Sequence, residues 1–264
     1  MNWTNLKKIA GCVAISGVAI CTVSLRNDVS CQTPATNKVT DQQQTTGDNK
    51  GFALVELYTS EGCSSCPPAD KLMEKLQLEN AGKPVYVVAF HVDYWDHQGW
   101  KDKFSTAQYT ARQRQYSDWM NLESIYTPQV VVNGVSEYVG SNERSITKAI
   151  DASLNKGTEN ALTLKGTVDS GKVKVEYDVT GPKENKTLFL ALVQKKANSN
   201  VMAGENEGRQ LSHVQIVRDL IPVDIKDKST TISLPATLNQ EGWELIGFVQ
   251  NKGNGHISAA ARMN

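Results

Sequence analysis

The sequence predicts an α/β domain that is followed by a smaller β-rich domain with a sandwich-like arrangement. An apolar run at residues 52–58 leads into a helical pattern at 67–78, and the almost wholly apolar run at 84–92 is typical of a buried parallel strand. After residue 162 the pattern changes to short strand-like segments spaced by turns. A chain of 264 residues with 39% hydrophobic content is long enough for two domains.

The N-terminal region has the composition of a targeting segment, in contrast to the rest of the chain. Lys7 and Lys8 precede a 17-residue run without charge, residues 9–25, which is typical of an export signal or a retained anchor. We therefore predict a signal peptide or membrane anchor over residues 1–31 and a disordered polar linker over residues 32–50. The sequence does not decide whether this segment leads to secretion, to a lipid anchor or to a retained membrane helix. Each of these places the folded part outside the cytoplasm, in the periplasm or cell envelope.

The predicted α/β domain covers residues 51–158 and contains a helical insertion. Pro67 and Pro68 fit the first turn of a helix, where a missing N–H costs nothing, and Asn133-Gly134 signals a hairpin turn. The predicted strands are 52–58, 84–92, 126–134 and 135–139, and the predicted helices are 67–78, 106–120, which is the insertion, and 145–154. Arg112 and Arg114 are interpreted as part of a solvated helix face.

The predicted β-rich domain covers residues 159–264. A helix at residues 212–220 is expected to interrupt its strands. The predicted strands are 162–168, 173–179, 187–194, 230–234 and 243–250. Five polar residues are interpreted as a docking surface against the first domain, with a ligand site as the alternative: Glu205, Asn206, Arg209, His213 and Arg218.

The most informative motif is the pair Cys63 and Cys66, which falls where a predicted strand turns into a predicted helix. The unpaired N–H groups and the dipole at a helix start favour a thiolate over a thiol. Cys63 is therefore the expected nucleophile, and Cys66 is placed to resolve a mixed disulfide. A zinc site would need two more ligands, and the chain has no second Cys-x-x-Cys pair to supply them. A purely structural disulfide remains the alternative.

Together with Thr127-Pro128, which opens a later strand, the order of elements around the cysteine pair resembles the thioredoxin fold. The resemblance implies that Pro128 is cis and that Thr127 is a backbone partner for the dithiol and a bound peptide. It also implies a role for Glu56 as a buried acid that relays a proton to Cys66. The alternative is a glutamate that is exposed or caps the end of a strand.

Four segments resemble one particular family with this fold: residues 55–70, 91–96, 126–134 and 204–213. Together they resemble the DUF1223 family of exported thioredoxin-like proteins, whose function is undefined, over about residues 52–262. Ser64-Ser65 stands in place of the usual Gly-Pro dipeptide of thioredoxins. Because this dipeptide tunes the reduction potential, the direction of the redox chemistry stays open.

Aromatic residues near the motif offer flat apolar surface to an unfolded peptide chain. We interpret Tyr58, Trp95 and Trp100 as substrate-binding residues, with ordinary core and loop packing as the alternative.

A second group of polar residues, His91, Asp93, Asp96 and His97, follows the second predicted strand. Imidazole and carboxylate ligands suit zinc or copper, which would indicate metal delivery. Spacing alone fixes no coordination geometry, so we favour a hydrogen-bonded pair of His91 with Asp93 and predict no metal and no cofactor.

The formal net charge is zero and no basic stripe stands out, so nucleic acid is not an expected partner. We predict an exported thiol–disulfide oxidoreductase that acts on a protein thiol or disulfide client and needs a redox partner, with membrane contact only through the N-terminal segment. The alternatives are a non-catalytic binding or assembly module with a structural disulfide, and a metal-delivery protein.

Overall fold

The structure, a computed structural model, describes residues 51–234 and 242–264. The signal or anchor predicted for residues 1–31 and the linker predicted for 32–50 lie outside these ranges. The first half contains four strands and three helices: β1 (Ala53–Thr59), α1 (Pro67–Glu79), β2 (Val85–His91), α2 (Ala107–Met120), β3 (Gln129–Val132), β4 (Ser136–Val139) and α3 (Glu143–Leu154). The second half adds strands: β5 (Ala161–Asp169), β6 (Lys172–Thr180), β7 (Lys186–Asn200), β8 (Gln210–Val223), β9 (Ser229–Ser233), β10 (Trp243–Asn251) and β11 (Ile257–Arg262).

The architecture is mixed α/β, with one large mixed sheet and one small antiparallel sheet. The large sheet has eight strands in the order β11-β10-β7-β8-β2-β1-β3-β4, and the small sheet has the order β5-β6-β9. β1 and β2 are parallel, as their apolar sequences indicate, while β3 and β4 form the predicted antiparallel hairpin.

The large sheet joins the two halves of the chain. β2 and β8 pair in parallel at Ala89 and Ile216, so strands on either side of the expected boundary at residues 158 and 159 lie in one sheet. Residues 51–234 and 242–264 accordingly belong to one compact unit. The pairing covers the edge of β2 that would otherwise present unpaired N–H and C=O groups.

The predicted helix at residues 212–220 is wrong, because this segment lies within strand β8. β8 pairs with β7 along most of its length, and residues 213–217 are buried on both faces of the sheet. A strand that is buried on both faces loses the alternation that distinguishes it from a buried helix. The short strand β11 was not predicted.

The two faces of the large sheet are covered by different helices. α1 and α3 pack on one face with Val55 and Leu57, whereas α2 packs on the other face with Leu54 and Tyr58. The small sheet packs its apolar face against β7 and β10. The alternation of side chains along β1 therefore places Glu56 on the α2 side of the sheet.

The prediction that Arg112 is solvated is wrong. Its side chain is 6% exposed, and its Nε donates to Glu56 Oε2 at 2.8 Å. Glu56 also accepts from the Tyr116 hydroxyl at 2.5 Å, and Arg112 Nη1 donates to Gln250 Oε1 at 3.0 Å. The ion pair is buried because both charges find partners among β1, α2 and β10.

The substitution Arg112→Met should lower the free energy of unfolding by about 3–5 kcal/mol, because it leaves the Glu56 carboxylate buried without its charge partner. Urea unfolding of the full chain measures the effect. Arg114→Met, an exposed position on the same helix, is the matched control and should change stability by less than about 0.5 kcal/mol. Equal effects of the two substitutions would contradict a structural role for the ion pair.

Candidate functional site

Cys63 and Cys66 form a disulfide at the junction of β1 and α1, with their Cα atoms 5.4 Å apart. The two cysteines are only 0% and 1% exposed, whereas Ser64 and Ser65 between them are exposed. The predicted pair is therefore bonded, and its sulfur atoms lie beneath the surface of the loop.

The start of α1 does not offer the free N–H groups expected there. Cys66 is the N-cap residue, and the first two helical positions, Pro67 and Pro68, carry no N–H. The next two N–H groups, of Ala69 and Asp70, both donate to the Cys66 carbonyl. The Ser65 hydroxyl is a polar group next to Cys63, because its Oγ lies 3.4 Å from Cys63 Sγ.

Thr127 and Pro128 lie beside the disulfide, as the sequence indicates. The peptide bond between them is cis, and Pro128 is buried. The Ser65 hydroxyl donates to the Thr127 carbonyl at 3.5 Å, and Trp95 Nε1 donates to Thr127 Oγ1 at 2.8 Å. The structure thus brings the predicted dithiol, Thr127 and Pro128 together.

Residues 201–209, between β7 and β8, cover the cysteine loop and are called the cap segment here. Asn206 Nδ2 donates to the carbonyl oxygens of Glu61 and Cys63, both at 2.9 Å. The Ser64 N–H donates to Glu205 Oε2 at 3.1 Å, and the hydrogen bonds from Ser64 lower the pKa of Glu205. Of the five residues interpreted as a docking surface, Glu205 and Asn206 thus contact the cysteine loop.

Two tryptophans flank the site. Trp95 is half-buried, and its Cβ lies 2.9 Å from the position that a Cβ at Gly62 would take, so the loop needs glycine at this close approach. Trp100, also half-buried, donates from Nε1 to Glu61 Oε2 at 2.7 Å. Both indoles lie beside the disulfide loop, as predicted, and both are already engaged in hydrogen bonds.

The predicted roles of Tyr58 and Glu56 do not fit the structure. Tyr58 is fully buried and stacks on Phe90, and burial raises the pKa of its phenol, so it presents no surface to a client. Glu56 pairs with Arg112 on the α2 side of the sheet, whereas Cys66 begins α1 on the opposite side. The structure therefore does not bring Glu56 to the dithiol as a proton relay.

His91 is hydrogen-bonded to a carboxylate, as favoured, but the partner is Asp102 instead of Asp93. His91 Nδ1 and Asp102 Oδ2 are 2.6 Å apart and both residues are buried. Burial opposes both charges, but the attraction between them prevails, so the pKa of His91 is raised and that of Asp102 lowered. Asp93 accepts from the Thr110 hydroxyl on α2.

The sequence did not predict that His213, Asp70 and Glu61 lie together behind the disulfide. His213 Nδ1 of β8 lies 3.2 Å from Asp70 Oδ1 of α1, and Asp70 also accepts from the Thr59 hydroxyl at 3.1 Å. His213 Nε2 lies 3.8 Å from Glu61 Oε1. The sequence did contain a sign that these residues matter: Asp70 and His213 are the last residues of two of the four segments on which the family resemblance depends.

The family model for DUF1223, described as a protein of unknown function, matches residues 54–250. The chain belongs to the DUF1223 family. No curated protein matches this DUF1223 chain.

Two solved structures resemble this DUF1223 chain. A structural-genomics protein from Agrobacterium tumefaciens is 25% identical, with 80% of this chain and 92% of that one covered and a TM-score of 0.60. HBP35 of Porphyromonas gingivalis is 17% identical, with 81% of this chain and 74% of that one covered and a TM-score of 0.52. At 17% identity the likeness to HBP35 is one of fold.

The substitution Asn206→Ala should destabilise the cap segment, because two buried carbonyl groups lose their donor. We expect a loss of about 1–3 kcal/mol in the free energy of unfolding and a faster reduction of the disulfide by dithiothreitol. Asn198→Ala, at an exposed position of β7, is the matched control and should leave both quantities near the wild-type values. An unchanged reduction rate in Asn206→Ala would show that the cap segment does not protect the disulfide.

Proposed function

We propose that this protein is an exported thiol–disulfide oxidoreductase that exchanges its Cys63–Cys66 disulfide with protein thiols. The observation that carries the proposal is the position of the pair at the start of α1, beside Thr127 and Pro128. Ser64 and Ser65, which link the two cysteines, are exposed to an approaching client.

The arrangement of the first half supports a thioredoxin-like interpretation of the fold. The order β1-α1-β2 gives a parallel pair of strands, and β3, β4 and α3 add an antiparallel hairpin and a second helix on the same face as α1. A dithiol at the first helix and a Thr-Pro step before the third strand occupy the places that this fold provides for disulfide exchange.

The proposed reaction begins when a client thiolate attacks the sulfur of Cys63. A bond forms between the client sulfur and Cys63, the bond between Cys63 and Cys66 breaks, and Cys66 leaves with the electron pair as a thiolate. A second client thiolate then attacks the client sulfur of the mixed disulfide and releases Cys63. The client loses two electrons, the protein gains two, and a redox partner restores the starting state. The same steps in reverse reduce a client disulfide.

Access to Cys63 requires movement of the cap segment. Cys63 is buried, and its carbonyl is bonded to Asn206 while the next N–H is bonded to Glu205. A client that displaces these two side chains would itself offer backbone N–H and C=O groups in their place. The proposed exchange is therefore gated by the second half of the chain.

A second candidate function is a non-catalytic binding or assembly module in which the disulfide is a structural crosslink. The burial of both cysteines favours it, because reactive cysteines are partially exposed in general. The two candidates differ in one property, the ease with which a dithiol exchanges with the disulfide.

Export is proposed from the N-terminal sequence, in which Lys7 and Lys8 precede a long uncharged run. Within residues 51–234 and 242–264 there is no helix of sufficient length and apolar character to cross a membrane. Any membrane contact is accordingly proposed for the N-terminal segment.

The substitution Cys63→Ala should abolish insulin reduction or oxidative refolding of a model substrate, because the attacked sulfur is gone. Cys66→Ala should instead accumulate a mixed disulfide with the client, detectable on a non-reducing gel. Cys31→Ala, at a cysteine that precedes the described residues, should retain wild-type activity. Inactive wild-type protein whose disulfide glutathione cannot reduce would favour the structural role.

The substitution Ser65→Ala should raise the pH at which Cys63 of the reduced protein reacts with iodoacetamide at half of its maximal rate. The Ser65 hydroxyl bonds the Thr127 carbonyl and is close enough to Cys63 Sγ to donate to a thiolate instead. Ser64→Ala is the matched control, because it retains the backbone N–H bond to Glu205. Equal midpoints in the two variants and the wild type would exclude Ser65 as the stabilising donor.

A further inference from the structure

Three buried side chains with metal-binding atoms converge behind the disulfide loop, and a fourth buried side chain, Glu61, lies beside one of them. Asp70, His91 and His213 each offer one ligand atom, and these atoms all lie within 4.8 Å of one another. Glu61 Oε1 lies 3.8 Å from His213 Nε2. The four residues are between 0% and 5% exposed. They come from the β1–α1 loop, α1, β2 and β8.

Three of the buried atoms lack a hydrogen-bond partner among the described residues: His91 Nε2, His213 Nε2 and Glu61 Oε1. An unpaired polar atom in a protein interior costs free energy, so nearly all such atoms are bonded in native structures. Here three of them occur in one region, and His91 Nε2 belongs to a residue of the three-ligand group. A cation bound by this group would satisfy it.

A carboxylate outside the three-residue group holds one ring nitrogen of His91. His91 Nδ1 lies 2.6 Å from Asp102, which fixes the tautomer so that Nε2 presents its lone pair to a metal. In His213, Nδ1 lies 3.2 Å from the proposed ligand Asp70, and Nε2, on the other side of the ring, lies 3.8 Å from Glu61.

The charges of the cluster also favour a cation. Three buried carboxylates, of Glu61, Asp70 and Asp102, face two imidazoles, so negative charge remains even when both rings are protonated. With neutral imidazoles the excess of negative charge is larger. A divalent cation between Asp70, His91 and His213 would offset it.

We propose that the protein binds one zinc ion in this cluster, through Asp70, His91 and His213. Two imidazoles and one carboxylate suit zinc, whereas calcium and magnesium prefer oxygen ligands alone. This is not the set considered from the sequence, in which His91 was combined with Asp93. The true partners are Asp70 and His213, which are 143 residues apart.

A route for the ion is present. A cavity of about 320 Å³ lies between the first turn of α1 and the start of β8, and both Asp70 and His213 line it. A hydrated ion entering there would meet these two ligands first. The site is independent of the proposed redox function, because its ligands contain no sulfur.

Zinc binding to the full chain tests the proposal, with the disulfide intact and all free thiols blocked by N-ethylmaleimide. After dialysis against Zn²⁺ in excess Mg²⁺, elemental analysis should find one zinc per chain. His213→Ala and His91→Ala should each weaken binding by at least about 100-fold. The chain has two further histidines, so His97→Ala and His256→Ala are matched controls and should bind as the wild type does.

Circular dichroism of each variant shows whether it has folded. If the variants of the buried histidines unfold, the zinc X-ray absorption spectrum of the wild type decides, and two imidazoles with only nitrogen and oxygen ligands are expected. Three results would overturn the proposal: no retained zinc, unchanged affinity in folded His213→Ala and His91→Ala, or a sulfur ligand in the spectrum. The first would show that the cluster is bridged by water.

Discussion

β8 lies beside β2, and the parallel contact between Ala89 and Ile216 determines where the second half of the chain places its polar residues. From this contact the strand extends back toward its start, so that His213 reaches Asp70. The cap segment precedes β8 and therefore lies over the cysteine loop. If the two halves had formed separate sheets, neither the disulfide nor the histidine cluster would be enclosed.

Two buried charged networks among residues 51–234 and 242–264 differ in how fully their polar atoms are paired. On the α2 side of the sheet, Glu56 and Arg112 are bonded to each other and to neighbouring polar groups, so that network is closed. At the carboxyl ends of β1 and β2, the cluster around His91 and His213 keeps unpaired ligand atoms. A closed network stabilises a fold, whereas an open one at this edge of a sheet is a place for a ligand.

Local patterns in the sequence predicted the elements of the first half, and the resemblance to the thioredoxin fold implied the adjacency of Cys63, Cys66 and Pro128. They did not predict the burial of Arg112, because its partner Glu56 is 56 residues away and a helix pattern does not identify a distant carboxylate. The docking of Asn206 was expected as a surface, but its bond to Cys63 depends on strand order. Strand order follows from pairing between distant segments, which periodicity does not encode.

The separation of Asn206 from Cys63 also sets an order of events during synthesis. Cys63 leaves the ribosome 143 residues before the side chain that later covers it. At about 5–20 residues per second, the two cysteines are present for roughly 7–30 s without their cover. During that interval no residue of the cap segment shields the two sulfur atoms, whereas the finished fold leaves the cysteines only 0% and 1% exposed.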